Sequence, residues 1–216
     1  MSEPLDVVVT GTGRCGTWAV AELLSYARIP CGHEAVFGPD GPTPPAAGVV
    51  ADSSWLAAPH LAESEYVGEH TTIVHLVRHP LAVCSSFYNL GFFAGLHDET
   101  PYHQYAVRHM PELETIPDEM GRLAAWYCGW NWRIEGCGRP VIRHRVEDGP
   151  LGLYQGLDLR IRVPIPWVRR NDLGQVSGPR RPESEHRRLR LNDFSPHQAG
   201  MLHATGADYG YAMEES

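Results

Sequence analysis

Apolar residues fall into short continuous runs separated by stretches with helical spacing. Asp6-Val7-Val8-Val9-Thr10 and Thr72-Ile73-Val74-His75-Leu76-Val77 have the length and β-branched content of buried parallel strands. Gly48-Val49-Val50-Ala51-Asp52 and Pro140-Val141-Ile142-Arg143 predict two more strands, and Ile29 to Glu34 forms a short segment before a Pro/Gly-rich loop from Gly38 to Gly48. Helices are predicted from Ala19 through Leu24, from Leu81 towards Phe92, over Glu119 to Glu135, and near Pro196 to Ala204. Pro80 suits the first turn of the second of these, and Ser53 or Ser54 is placed to cap a helix through Trp55 to Ala62. Residues 157–182 read as irregular. Strand and helix alternate, which predicts an α/β fold with a central parallel β-sheet flanked by helices in three layers, as one domain over residues 1–216.

The turn after the first strand carries the most chemistry. Gly11, Gly13 and Gly16 in Gly11-Thr12-Gly13-Arg14-Cys15-Gly16-Thr17-Trp18 can adopt tight-turn angles, and a helix follows. Strand, glycine turn and helix aim backbone N–H groups and a helix dipole at an anion. A Walker loop needs Lys after its last glycine, but the chain has no lysine, and all 18 basic residues are arginines. The loop is therefore a phosphate cradle of another kind.

Composition narrows the classes further. A formal charge of −8 argues against a general nucleic-acid binder. The stretch Arg169 to Arg190 is nevertheless net +4, which suits a small anionic ligand or a solvated loop. Twelve scattered histidines without an HExxH or Cys/His cluster give no reason to expect a metal. Five cysteines without CxxC spacing, no apolar run of membrane-spanning length and no leader pattern predict a cytoplasmic protein without a membrane span.

A second anion motif follows the strand ending at Val77. Arg78 stands at a strand's carboxyl end, where ligands bind in open α/β sheets, and Ser86 lies eight residues on. An arginine fork with a hydroxyl suits a terminal phosphate.

With both motifs in order, the chain resembles the sulfotransferases that use 3′-phosphoadenosine-5′-phosphosulfate (PAPS), a family with a P-loop fold. Gly11 to Trp18 looks like their 5′-phosphosulfate loop, with Arg14 where lysine is common. Arg78 and Ser86 look like their 3′-phosphate site. His33-Glu34, Trp126 to Asn131, Arg145-Val146-Glu147-Asp148 and the closing Tyr209-Gly210-Tyr211 resemble the bacterial, carbohydrate-type branches. The departure is the late basic loop. Where cytosolic members carry Arg-Lys-Gly, this chain has Arg169-Arg170 and Arg180-Arg181.

The resemblance implies roles. Cys15, Gly16 and Thr17 would hold the 5′-phosphate and Arg14 would stabilise charge on the departing oxygen. Glu34 would take the acceptor's proton, with His33 the alternative base or an orienting partner. Trp18 would stack near the nucleotide or belong to the core. Cys15 is read as a small residue and not as a nucleophile. The acceptor would be a small molecule or glycoconjugate, with a sugar hydroxyl favoured over a phenol, and residues 92–120 would form a lid or acceptor wall. Trp126 and Trp130 share a helix face and read as core. Two rivals stand beside this reading. One is an ATP- and magnesium-dependent kinase, for which Asp52 is the sole acidic strand-end candidate. The other is an inactive nucleotide-binding module. The sequence leaves the oligomeric state open.

Overall fold

A computed structural model describes residues 3–95, 100–157 and 181–213. The chain divides into two compact units, one formed by Met1–Val77 with Trp132–Asn171 and the other by Arg78–Asn131 with Asp172–Ser216.

The first unit contains the sheet. Strands β1 (Val7–Gly11), β2 (Cys31–His33), β5 (Ala51–Ser53), β6 (Thr72–Val77) and β7 (Val141–Arg145) lie in the order β2-β5-β1-β6-β7, every pair parallel. A two-stranded antiparallel ribbon, β3 (Phe37–Gly38) with β4 (Gly41–Pro42), interrupts the run. The chain builds to one side of β1 and then to the other, so the topological switch point is at the carboxyl end of β1. The glycine loop leaves from there.

Alternation along the strands assigns the two faces. Val7, Val9, Val74 and Leu76 form one core with Val20, Leu23 and Leu24 of α1 (Thr17–Tyr26) and Leu153 and Tyr154 of α5 (Gly149–Gly156). The Tyr154 hydroxyl donates to the Leu23 carbonyl at 3.1 Å, so its burial leaves no unmet donor. On the opposite face the fully buried His75 bonds through Nδ1 to Glu135 Oε1 at 2.7 Å. Glu135 ends α4 (Glu119–Glu135), and Arg143, paired in register with His75, bonds the same oxygen at 2.8 Å. Helices on both faces of a parallel sheet make this unit a three-layer α/β fold, as the alternation predicts.

In the second unit, α2 (Pro80–Leu90), α3 (Pro101–His109), α6 (Pro196–Asp208) and most of α4 surround an aromatic cluster. Trp126 and Trp130 lie 4.3 Å apart between ring centroids and are wholly buried, with Phe87, Phe93 and Tyr105 around them. The indole pair is core. Among the described residues of the stretch read as a lid or acceptor wall, Pro101–His109 form α3 and Pro111–Thr115 a 3₁₀ helix. Thr100 caps α3 and Pro101 occupies its first turn, while the buried Arg122 guanidinium donates to the carbonyls of Phe93, Ile116 and Pro117. Buried His103 and Tyr105 belong to the packing there.

The helix expected from Trp55 is a 3₁₀ helix ending at His60, because Pro59 inside it has no N–H to continue an α-helix. Among the described residues no helix is long and apolar enough to cross a membrane.

Candidate functional site

The loop between β1 and α1 has the backbone geometry of an anion cradle. Arg14 and Gly16 both have left-handed φ, 68° and 92°, on either side of Cys15. Such alternation turns successive N–H groups towards one concave side. Gly16 is the N-cap of α1, and no side chain caps that helix. The Cys15 N–H closes a turn onto the Thr12 carbonyl at 3.3 Å. Its side chain is buried in the core with Val20 and Leu76, which matches a small packed residue. Gly11 is needed sterically, because a Cβ there would press on the Leu76 carbonyl and come within 2.6 Å of Cys15 Sγ. Trp18 is half-buried on the first turn of α1.

The His33-Glu34 pair is brought to this loop by β2. Thr17 Oγ1 and His33 Nε2 lie 3.2 Å apart, and His33 Nε2 is 3.9 Å from Glu34 Oε1. Burial lowers the imidazole's pKa to about 4, so it is neutral near pH 7. Glu34 has φ +54°, a costly conformation for a residue with a Cβ. Among the described residues three non-glycines have positive φ: Arg14, Arg28 and Glu34. Arg28 has a local reason. It ends α1 in a reversal where its N–H meets Ser25 O and the Ile29 N–H meets Leu24 O. Arg14 and Glu34 are both among the residues to which the resemblance assigns chemistry.

Neighbouring β5 ties these pieces together, a role that sequence reading missed. Ser53 Oγ donates to the Thr17 carbonyl at 2.7 Å, and the Glu34 N–H reaches the Ser53 carbonyl at 3.4 Å. Ser54 Oγ donates to the Phe37 carbonyl at 2.8 Å and also caps the 3₁₀ helix at the Leu56 N–H. Trp55 beside it is buried. Asp52 is wholly buried and accepts from the N–H groups of Ala35 and Phe37 at 3.1 and 3.2 Å. Apart from the Ser54 cap, which the sequence signals, no local pattern marks these bonds, since each of the others spans fifteen or more positions of chain.

Arg78 and Ser86 belong to the second unit, Arg78 just before the His79 N-cap of α2 and Ser86 in the middle of that helix, and both are half-buried. The Arg78 backbone is fixed by the Tyr127 hydroxyl, which donates to its carbonyl at 2.9 Å. Burial, with Tyr211 and Tyr209 nearby, pushes that phenol above its ordinary pKa. The His79 ring meets Tyr211 edge-on at 5.3 Å, so the C-terminal Tyr-Gly-Tyr supports the Arg-His-Pro turn. Ser85, adjacent to Ser86, is used structurally and accepts the Leu189 N–H at 2.8 Å. Of the late arginines, Arg169, Arg170 and Arg180 lie outside the described residues. Arg181 stacks over Tyr88, donates to its carbonyl and pairs with Glu119.

Among the described residues no group of three or more His, Cys, Asp or Glu side chains is arranged to hold a metal. No known family model matches the chain, and no curated protein matches its sequence.

Proposed function

We propose that this protein is a sulfotransferase that moves a sulfuryl group from PAPS to a hydroxyl acceptor, a carbohydrate or glycoconjugate before other classes. The carrying observation is the strained, left-handed backbone at both Arg14 and Glu34, with His33, the residue before Glu34, hydrogen-bonded to Thr17 at the phosphate loop. Strain of this kind persists where surrounding structure over-determines it, as at reactive sites.

The chemistry follows from the residues. The acceptor oxygen attacks sulfur in line, the new S–O bond forms, and the bond from sulfur to the 5′-phosphate oxygen breaks. The acceptor's proton passes to the Glu34 carboxylate. Negative charge gathers on the departing phosphate oxygen, where Arg14 stabilises it without donating a proton. Thr17 donates its hydroxyl to the 5′-phosphate beside the Gly16–Thr17 helix start. That donation requires His33 to present Nε2–H to Thr17 Oγ1, leaving the hydroxyl proton for the ligand. A neutral His33 with so low a pKa is a weak base, which favours Glu34 for proton removal. Arg78 and Ser86 are assigned the 3′-phosphate. The activity would run in the cytoplasm, where the five cysteines, all thiols, stay reduced.

The kinase reading has less support. Asp52 would have to hold magnesium, yet its carboxylate is buried and engaged by two backbone N–H groups. Thermal stabilisation by adenosine 3′,5′-bisphosphate, set against ATP with magnesium and against AMP, tests the choice. A shift with the bisphosphate alone supports the transferase. A shift with ATP and magnesium alone overturns it.

A further inference from the structure

We infer that Asp52 is a positioning residue for Glu34, holding from inside the sheet the strained turn that carries the base. This rests on Glu34 being the proton acceptor. The anchors surround that residue in sequence. Glu34 gives its own N–H to the Ser53 carbonyl, Ala35 and Phe37 give theirs to the two oxygens of Asp52, and the Phe37 carbonyl takes the Ser54 hydroxyl. A left-handed residue so enclosed cannot relax to an ordinary φ without breaking several of these bonds.

The chemistry at position 52 calls for a carboxylate. Two backbone N–H groups converge on two different oxygens, and an ionised carboxylate offers acceptors only. An asparagine would turn its NH₂ towards one of those donors, replacing a hydrogen bond by a donor–donor clash. Burial raises the Asp52 pKa and the backbone N–H groups oppose that rise, the pattern of a buried acid retained for its acceptors. Gly32 leaves the space, since a Cβ there would approach Asp52 Oδ1 to 2.7 Å and Ala35 Cβ to 2.6 Å.

The next residue does a different task. Ser53 Oγ holds the Thr17 carbonyl at the start of α1. Adjacent positions of one strand therefore control separate parts of the site. Asp52 sets the acceptor side and Ser53 the donor side.

The experiment compares wild type, Asp52→Asn, Ser53→Ala and Glu34→Gln by amide hydrogen exchange, by affinity for adenosine 3′,5′-bisphosphate and by separated kcat and KM with PAPS. Folded Asp52→Asn should exchange amides 34–37 about tenfold faster or more. It should keep bisphosphate affinity within about twofold and lose about tenfold to a hundredfold in kcat, the scale of a small misplacement of a reacting group. Ser53→Ala should weaken the bisphosphate instead and leave exchange at 35–37 unchanged. If Asp52→Asn does not fold, Ser54→Ala, which frees only the Phe37 carbonyl and a short helix cap, should show the same kcat-selective loss on a smaller scale. Unchanged exchange at 34–37, or equal losses in kcat and donor affinity, would overturn the inference. Failure of the wider reading is separate: wild type would not bind the bisphosphate, or Glu34→Gln would keep full turnover.

Discussion

His33 offers the most direct check on the site's electrostatics. Its imidazole is about four-fifths buried, bonded to Thr17 and held neutral by desolvation, with a pKa near 4 against an ordinary 6.5. At about 1.4 kcal/mol per pH unit, that span amounts to about 3.4 kcal/mol on full protonation. The part of the ring reached by water is screened, which brings the expected figure to about 2 kcal/mol. The folded pKa is depressed, so this stability is present above the unfolded value and is lost as pH falls from 6.5 towards about 4. His33→Gln keeps an amide near the Nε2 position, able to donate to or accept from Thr17, and it does not titrate. Urea unfolding of both proteins near pH 7.5 and about pH 4.5 isolates the effect, because the other titrating groups are common to the two. Wild type should lose about 2 kcal/mol more than the variant over that interval. Parallel curves would mean that His33 is not held neutral by burial and is basic enough to compete with Glu34 for the proton.

Four further outcomes are expected. Glu34→Gln should abolish turnover and keep bisphosphate binding; full activity in that variant would remove the base assignment. Arg78→Ala should weaken nucleotides bearing a 3′-phosphate and spare AMP, whereas an equal loss for both would signify general destabilisation. Glu135→Gln should cost about 1–2 kcal/mol near neutral pH, since the bond to buried His75 and the Arg143 contact lower the Glu135 pKa to about 2 and its partial exposure screens the remainder. That difference should shrink as denaturant titrations move from above the ordinary 4.5 down through about pH 2. Gly11→Ala should destabilise by about 1–3 kcal/mol through overpacking against Leu76 and Cys15, measured as a fall in Tm, and a neutral result would contradict the close approach there.

Local patterns account for much of what the sequence revealed. The Val-rich run of β1, the apolar run of Thr72–Val77 and the apolar face of Glu119–Glu135 each specify an element through their own residues. Two helices escaped this reading for different reasons. The signal for α3 was present in Thr100-Pro101, an N-cap followed by a first-turn proline, but the stretch rich in His, Tyr and Pro was read as a lid or acceptor wall. In contrast, α5 contains three glycines and a proline, so local propensity opposes it and packing of Leu153 and Tyr154 on the sheet supplies its stability.

By itself, the sequence determined the α/β alternation, the glycine loop and the residue types able to hold phosphate or move a proton. All of these are properties of neighbours within a few positions. Only the tertiary structure decided the strand order that sets β5 beside β1, and with it the roles of Asp52, Ser53 and Ser54. Only folding could hold the left-handed backbone at Glu34, because that strain is retained by bonds from Ser53, Asp52 and Ser54 on the neighbouring strand and its end. Buried carboxylates and hydroxyls gain meaning from the donors that surround them, and those donors come together through sheet pairing across tens of residues.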